Sequence, residues 1–240
     1  MVVLSAVFAA SAQFALADTI TLGSFATGTT AASLGFSASQ TAMNLAGFTA
    51  FATPPVVAST PPLQSGTAST FALAPNGTWG APIGKSTWIG NTAGAGPGGS
   101  VSPAFGYYQY NTTFSATGGA GYTGSIDLMA DDTAEVLLNG IVVVPFGVLG
   151  SDTHCAASGV SCLTGTIVPL TGITLLTGTN ANVLTFIVEQ AGTMGPPGDP
   201  AGLDFTANLA SGPVPEPNPL ILLGTGLLGV AGLCRKRLVA

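Results

Sequence analysis

Short apolar segments of strand length, separated by turn residues, are the feature that most restricts how this chain can fold. The clearest are FGYYQYNTTFSA at 105–116 and ANVLTFIVEQAG at 181–192, both rich in β-branched and aromatic residues. Such segments recur about every 10 to 15 residues with turn signals between them. Helical periodicity does not persist for two turns anywhere between residues 18 and 211. The pattern predicts an all-β fold, a jelly-roll β-sandwich.

The alternation of residues within these segments predicts which side chains share a face of a strand. The residues between the segments predict the turns. Tyr108 and Tyr110 fall on one face of the 105–116 segment, and Tyr107 and Gln109 on the other. Asn139-Gly140, between two apolar segments, predicts a hairpin turn. GLDFTANL at 202–209 is predicted to be the last strand.

The charge content of the chain limits which kinds of molecule it can bind. Charged residues make up 6% of the chain and hydrophobic residues 47%, which argues against an electrostatically extended, disordered protein. Between residues 18 and 215 there are nine carboxylates and one basic residue, Lys85. Such a surface repels phosphate backbones, so nucleic acid is excluded as a partner. Neutral carbohydrate, cations and other extracellular polymers remain open.

The first seventeen residues, MVVLSAVFAASAQFALA, read as a signal peptide. Val2–Ala10 forms a short apolar stretch, and Ala15-Leu16-Ala17 fits the small-x-small pattern of a cleavage site. No Lys or Arg precedes the apolar stretch, which departs from the usual pattern, and a buried N-terminal strand or helix is the alternative. The expected organisation is a signal peptide at 1–17, a β-sandwich ectodomain at 18–211 and a tail at 212–240.

The tail has three parts. Pro213, Pro215, Pro217 and Pro219 alternate and force an extended linker. Leu220–Cys234 then provides 15 residues without a charge. As a helix this segment would span about 22 Å against a hydrocarbon core of about 30 Å, so it could cross a membrane with local thinning. The basic cluster that follows marks the cytoplasmic side.

These three parts, in this order, resemble the PEP-CTERM protein-sorting signal of Gram-negative bacteria. The matching residues are Val214, Pro215, Glu216 and Pro217, then the apolar span, then Arg235, Lys236 and Arg237. The resemblance implies a single transmembrane helix, an inner-membrane precursor and processing by an exosortase-type transpeptidase. It further implies a final place at the cell surface or in an extracellular matrix, with a link to exopolysaccharide and biofilm. An ordinary tail anchor is the alternative.

The candidate binding or catalytic residues of the predicted β-sandwich are a small group of carboxylates. Asp127, Asp131 and Asp132 cluster with Glu135. The favoured interpretation is a polar turn between two strands, with side chains bonding backbone amides. The alternatives are a Ca²⁺ site, contacts to sugar hydroxyls, or a glycosidase pair.

The two tryptophans, Trp79 and Trp88, have two interpretations as well. They anchor the sandwich core, which is the favoured role, or one of them is a platform on which a sugar ring stacks.

The cysteines favour a structural role over a catalytic one. Cys155 and Cys162 are expected to form a disulfide in an exported protein; free thiols, or a metal site completed by His154, are the alternatives. His154 is the only histidine, and the G-x-S-x-G motif is missing from the sequence. We therefore expect no enzyme activity and no cofactor, with Ca²⁺ as the one ion left open.

A second resemblance concerns residues 74–209. The motifs WGAPI, STWIG, YQYNTTF, GSIDLMADDTAEVLLNG, NVLTFIVEQAG and GLDF are similar to those of galactose-binding-like β-sandwich domains. This implies a jelly roll with a small projecting hairpin at Asn139-Gly140. Related protective-antigen-type sugar-binding domains can hold Ca²⁺ with an Asp-Asp pair that a Gly commonly follows; here Thr133 follows. The resemblance implies a carbohydrate-binding or structural module, and a secreted hydrolase using Asp127, Asp131 and Asp132 is the alternative.

Overall fold

The computed structural model describes residues 17–45, 50–56, 68–149, 155–191, 198–212 and 226–227. Asp18–Ser211 forms one compact unit. Its elements in chain order are β1 (Thr19–Gly23), α1 (Ala31–Leu34), β2 (Asn44–Leu45), β3 (Phe71–Ala72), β4 (Ile89–Gly90), β5 (Gly106–Ala116), β6 (Gly119–Asp131), β7 (Thr133–Leu138), β8 (Ile141–Val144), β9 (Val148–Leu149), β10 (Ala156–Ser158), β11 (Thr166–Leu175), β12 (Gly178–Gln190) and β13 (Gly202–Ala210).

Two antiparallel sheets pack face to face. We call the first sheet A; its strand order is β11-β6-β13-β4-β3, and β1 also pairs with β13. Sheet B has the order β2-β5-β12-β7-β8. Phe186 of β12 and Phe205 of β13 meet in the shared core with ring centroids 4.3 Å apart. The predicted all-β sandwich is confirmed, while its assignment as galactose-binding-like stays a prediction.

The local predictions of faces and turns agree with this core. Tyr108 and Tyr110 point into it from β5, as the alternation predicts. Asn139 and Gly140 have φ angles of 50° and 78°, the left-handed backbone that a two-residue hairpin turn requires. They join β7 to β8, which pair with each other in sheet B.

The two ends of the sandwich domain are clasped together. The Asp18 amide donates to Ser211 Oγ at 2.7 Å, and the Ser211 amide donates to the Asp18 carbonyl at 2.9 Å. The Asp18 carboxylate accepts hydrogen bonds from the Tyr122 hydroxyl and the Thr117 amide, both at 2.9 Å. We call this the clasp end of the domain, because β1 begins there and β13 ends there.

The signal peptide and the tail lie almost wholly outside the described residues, and so does the transmembrane helix expected at Leu220–Cys234. Among the residues that are described, no helix combines the length and the apolar character that crossing a membrane requires.

Replacing Phe186 with Ala should lower the free energy of unfolding by about 3–5 kcal/mol, because the side chain is fully buried between the sheets. Urea denaturation of the purified protein measures this loss. Ile167→Ala is the matched control: Ile167 is 68% exposed on β11, and its loss should cost no more than about 0.5 kcal/mol. Equal losses of stability in the two variants would contradict the burial of Phe186 between the sheets.

Candidate functional site

The Asp131-Asp132 dipeptide marks the point at which the chain passes from one sheet to the other. β6 ends at Asp131 in sheet A, and β7 begins at Thr133 in sheet B. Both aspartates are 0% exposed. The sequence-based interpretation is a polar turn between two strands, with side chains bonding backbone amides. The dipeptide does lie between two strands and Asp132 accepts a hydrogen bond from a backbone amide, but the turn is a buried crossing between the sheets. A local pattern of two strands with polar residues between them does not distinguish a hairpin from such a crossing.

A second crossing, from β12 to β13, lies at the same end of the sandwich. The Ala191 amide, just after β12, donates to Asp132 Oδ2 at 2.5 Å, and the Asp132 amide donates to the Glu189 carbonyl at 2.9 Å. Gly202, the first residue of β13, pairs with Asp131. Both crossings are thus joined through the aspartate pair, at the end of β13 opposite the clasp end.

Burial and mutual repulsion set the electrostatics of this pair. Burial raises the pKa of Asp131 well above its usual range, and the charge of Asp132 adds to the effect. Burial likewise raises the pKa of Asp132 to about 7, with repulsion from Asp199 contributing and the Ala191 amide opposing. The only basic residue of the domain, Lys85, lies beside Gly35. The carboxyl pair is therefore costly to ionise.

The Asp131 and Asp132 side chains hydrogen-bond to each other. Beside them, the buried oxygen Gln190 Oε1, in a residue that is 1% exposed, accepts no hydrogen bond from the described part of the chain. Gln190 Nε2 is 3.5 Å from the Asp199 carbonyl oxygen, which places the Gln190 amide beside Asp199. We name Asp131, Asp132, Gln190 and Asp199 the crossing cluster. Carboxylate and amide oxygens are the types of ligand that a hard cation such as Ca²⁺ accepts.

The tryptophans lie in a second, smaller core on the outer face of sheet A. Trp79 and Trp88 are 3% and 0% exposed and stack with ring centroids 4.2 Å apart. Trp79 Nε1 donates to Asp131 Oδ2 at 2.6 Å, and Trp88 Nε1 donates to the Gly80 carbonyl at 2.9 Å. Because both rings are buried, the alternative of a sugar-stacking platform is wrong and the favoured structural role holds.

Asp127 is not brought together with the aspartate pair. It lies four residues before Asp131 on β6, which places their Cα atoms about 13 Å apart. Its charge instead helps to raise the pKa of Asp204, although burial is the main cause of that shift. Glu135 lies within β7 in sheet B. The sequence thus predicted two of the residues gathered at the crossing and missed Gln190 and Asp199, which reach it only through the second crossing.

Cys155 and Cys162 form a disulfide with Cα atoms 5.6 Å apart, the arrangement that the sequence favoured. Their sulfurs and a carboxylate oxygen of Asp131 lie within 4.8 Å of one another. Since the two sulfurs are bonded to each other, they are not available as thiolate ligands. His154 lies outside the described residues, as does any site that it would complete.

Raising the pH from 5 to 8 in the presence of EDTA should lower the melting temperature. The folded-state pKa of Asp132 is about 7 against an ordinary 3.8, so the folded state holds a proton that the unfolded state releases. The stability gained from that proton is lost as the pH rises through about 7. Asp132→Asn keeps an acceptor for the Ala191 amide and should flatten the dependence. Thermal melts across the series measure it, and a melting temperature that rises with pH would contradict the assignment.

Comparison with known proteins identifies the tail. Residues 213–237 match the PEP-CTERM protein-sorting motif. No curated protein matches the chain. The matched residues, Val214, Pro215, Glu216, Pro217, Arg235, Lys236 and Arg237 among them, lie outside the described part of the structure. The motif nevertheless confirms the prediction drawn from the tail: the chain carries a PEP-CTERM sorting signal and is an exported exosortase substrate.

Proposed function

We propose that the sandwich of this exported protein is a non-catalytic module of the cell surface or extracellular matrix, which binds Ca²⁺ and contacts extracellular polysaccharide. The proposal starts from the sorting motif, which implies export and a membrane-anchored precursor that an exosortase processes. The crossing cluster then supplies the carboxylate and amide oxygens that would bind Ca²⁺ in the folded domain.

The observation that carries the Ca²⁺ proposal is the burial of two adjacent carboxyl groups near Asp199 and Gln190, with no Lys or Arg side chain beside them in the described part of the chain. Asp131 and Asp132 are fully buried, and Asp199 is close enough to raise the pKa of each. Buried carboxylates are strongly destabilising unless they are paired, protonated or bound to a metal. The amide oxygen of Gln190 adds a neutral ligand of the kind that Ca²⁺ accepts. A bound Ca²⁺ would neutralise the pair and hold the two crossings together.

The same geometry supports a role without catalysis. Glycosidase carboxyls act from opposite sides of a scissile bond, about 5–9.5 Å apart. Asp131 and Asp132 are adjacent in sequence and buried, and Asp127 lies about 13 Å along the strand from Asp131. The rival interpretation, a secreted hydrolase, requires product release that is lost in Asp131→Ala or Asp132→Ala.

Adding CaCl₂ at pH 7.5 should raise the melting temperature of the purified full-length protein. Extracellular Ca²⁺ modules bind with dissociation constants of about 0.1–1 mM. At about one hundred times the dissociation constant, binding adds about 2.7 kcal/mol, which corresponds to roughly 5–10 °C for a domain of this size. Asp199→Asn should remove most of the shift, since it takes one negative charge from the crossing cluster.

Asp127→Asn is the matched control for this titration, because it removes a carboxylate from the strand that carries Asp131 without touching the crossing cluster. Its Ca²⁺-dependent shift should equal that of the wild-type protein. A wild-type melting temperature that Ca²⁺ leaves unchanged would refute the proposal, as would an equal loss in the two variants.

Replacing Glu216 with Ala should leave membrane insertion intact and block processing, because Glu216 is the only charged residue between the domain and the apolar span. Immunoblotting of membrane and extracellular fractions from an exosortase-bearing strain measures the precursor and the processed form. Asn218→Ala changes a neighbouring polar residue outside Pro215-Glu216-Pro217 and should mature normally. Normal maturation of the Glu216 variant would count against exosortase recognition at this motif.

A further inference from the structure

Aromatic side chains gather on the outer face of sheet B, beside the crossing cluster. Phe51 forms an isolated antiparallel bridge with Tyr107, with both backbone hydrogen bonds at 2.9 Å. On the other side of Tyr107, Glu189 of β12 lies directly opposite it. Residues opposite each other on neighbouring strands share a face. Phe51, Tyr107 and Glu189 therefore form one row across the sheet.

Two further aromatic residues lie near Tyr107. The Phe146 ring packs edge-on against Tyr107, with centroids 5.8 Å apart and an interplanar angle of 64°. Phe105 lies two residues before Tyr107, in the bend just ahead of β5, and Gly106 between them has a φ of 127°. Phe105 is 47% exposed and Phe51 is 37% exposed. We call Phe51, Phe105, Tyr107, Phe146 and Glu189 the aromatic row.

The polar groups of the row are held in a fixed arrangement. The Tyr107 hydroxyl donates to Glu189 Oε1 at 3.2 Å, which orients both the ring and the carboxylate. The backbone carbonyl of Glu189 accepts the Asp132 amide, so the row is tied directly to the crossing cluster. The rings offer flat apolar surface, and the partly exposed carboxylate offers a hydrogen-bond acceptor next to it.

We propose that the aromatic row is a binding surface for a neutral polysaccharide, whose sugar rings stack on the exposed phenyl groups while hydroxyls donate to Glu189. The inference rests on the proposed function, in which the module contacts extracellular polysaccharide, and it names the site and the ligand class. An anionic polymer is disfavoured because the domain carries nine carboxylates and a single lysine.

The size of the row favours a glycan over a protein partner. A stable protein interface buries about 800 Å² on each side. An aromatic side chain buries only about 150–250 Å² in total, and these rings are already partly covered by the domain. A row of this size suits a few sugar rings better than a second folded chain.

Affinity electrophoresis of the full-length protein tests the proposal with named probes: dextran, laminarin and yeast mannan as neutral polysaccharides, and alginate as an anionic one. At least one neutral polysaccharide should retard migration, and alginate should not. Phe105→Ala and Phe51→Ala should weaken the retardation about tenfold or more. Phe71→Ala is the matched control, since Phe71 is 39% exposed but belongs to β3 of sheet A.

Two further readouts separate this inference from the Ca²⁺ proposal. Phe105→Ala should retain the full Ca²⁺-dependent rise in melting temperature, so loss of glycan binding with normal Ca²⁺ binding isolates the aromatic row. Tryptophan emission should not change on glycan binding, because Trp79 and Trp88 are buried on the other sheet.

Several outcomes would overturn the proposal. They are retardation by none of the neutral polysaccharides, stronger retardation by alginate, or an equal loss in Phe71→Ala. A dimer that Phe105→Ala converts to monomer in sedimentation velocity would assign the row to a second copy of the chain instead.

Discussion

The buried carboxyl pair at the Asp131-Asp132 crossing is the constraint on which the rest of this structure depends. A chain that passes between two packed sheets carries its backbone and side chains out of water, and every polar group there needs a partner. Asp131 accepts a hydrogen bond from the indole N–H of Trp79, and Asp132 accepts one from the backbone amide of Ala191. The first contact draws a tryptophan onto the outer face of sheet A, where it forms a second core with Trp88 and Cys162. The second contact holds the end of β12 against the start of β7.

The sequence predicted the sandwich well because its signals are local. Alternation placed Tyr108 and Tyr110 in the core, and Asn139-Gly140 specified its own turn. The candidate site was harder to predict because its members come from two crossings that are far apart in the chain. Asp199 stands between a Gly-Pro-rich stretch and the last strand, and nothing in its neighbourhood signals that the register of β13 carries it to Asp131. The aromatic row was missed for the same reason, since Phe51 meets Tyr107 across more than fifty residues.

The sorting signal and the crossing cluster concern two successive stages, export of the chain and its residence outside the cytoplasm. Export moves the chain from a compartment in which Ca²⁺ sensors respond to about 10⁻⁷–10⁻⁵ M ion to an exterior in which Ca²⁺ modules bind at about 10⁻⁴–10⁻³ M. On the proposed function, the carboxyl pair gains its counter-ion only after export. The folded domain is then more stable at its destination than at its origin, in keeping with binding that adds stability to the folded state alone.

The clasp between Asp18 and Ser211 also sets how the domain responds to tension. The exit toward the tail lies at the clasp end, while the crossing cluster lies at the far end of β13, about 27 Å away for a strand of nine residues. A pull between these two ends runs parallel to β13. The ladder bonds that join β13 to β6 and to β1 are then loaded together in shear, whereas a pull across the strand would break them one after another. A domain held at these two ends resists unfolding with a whole strand at once.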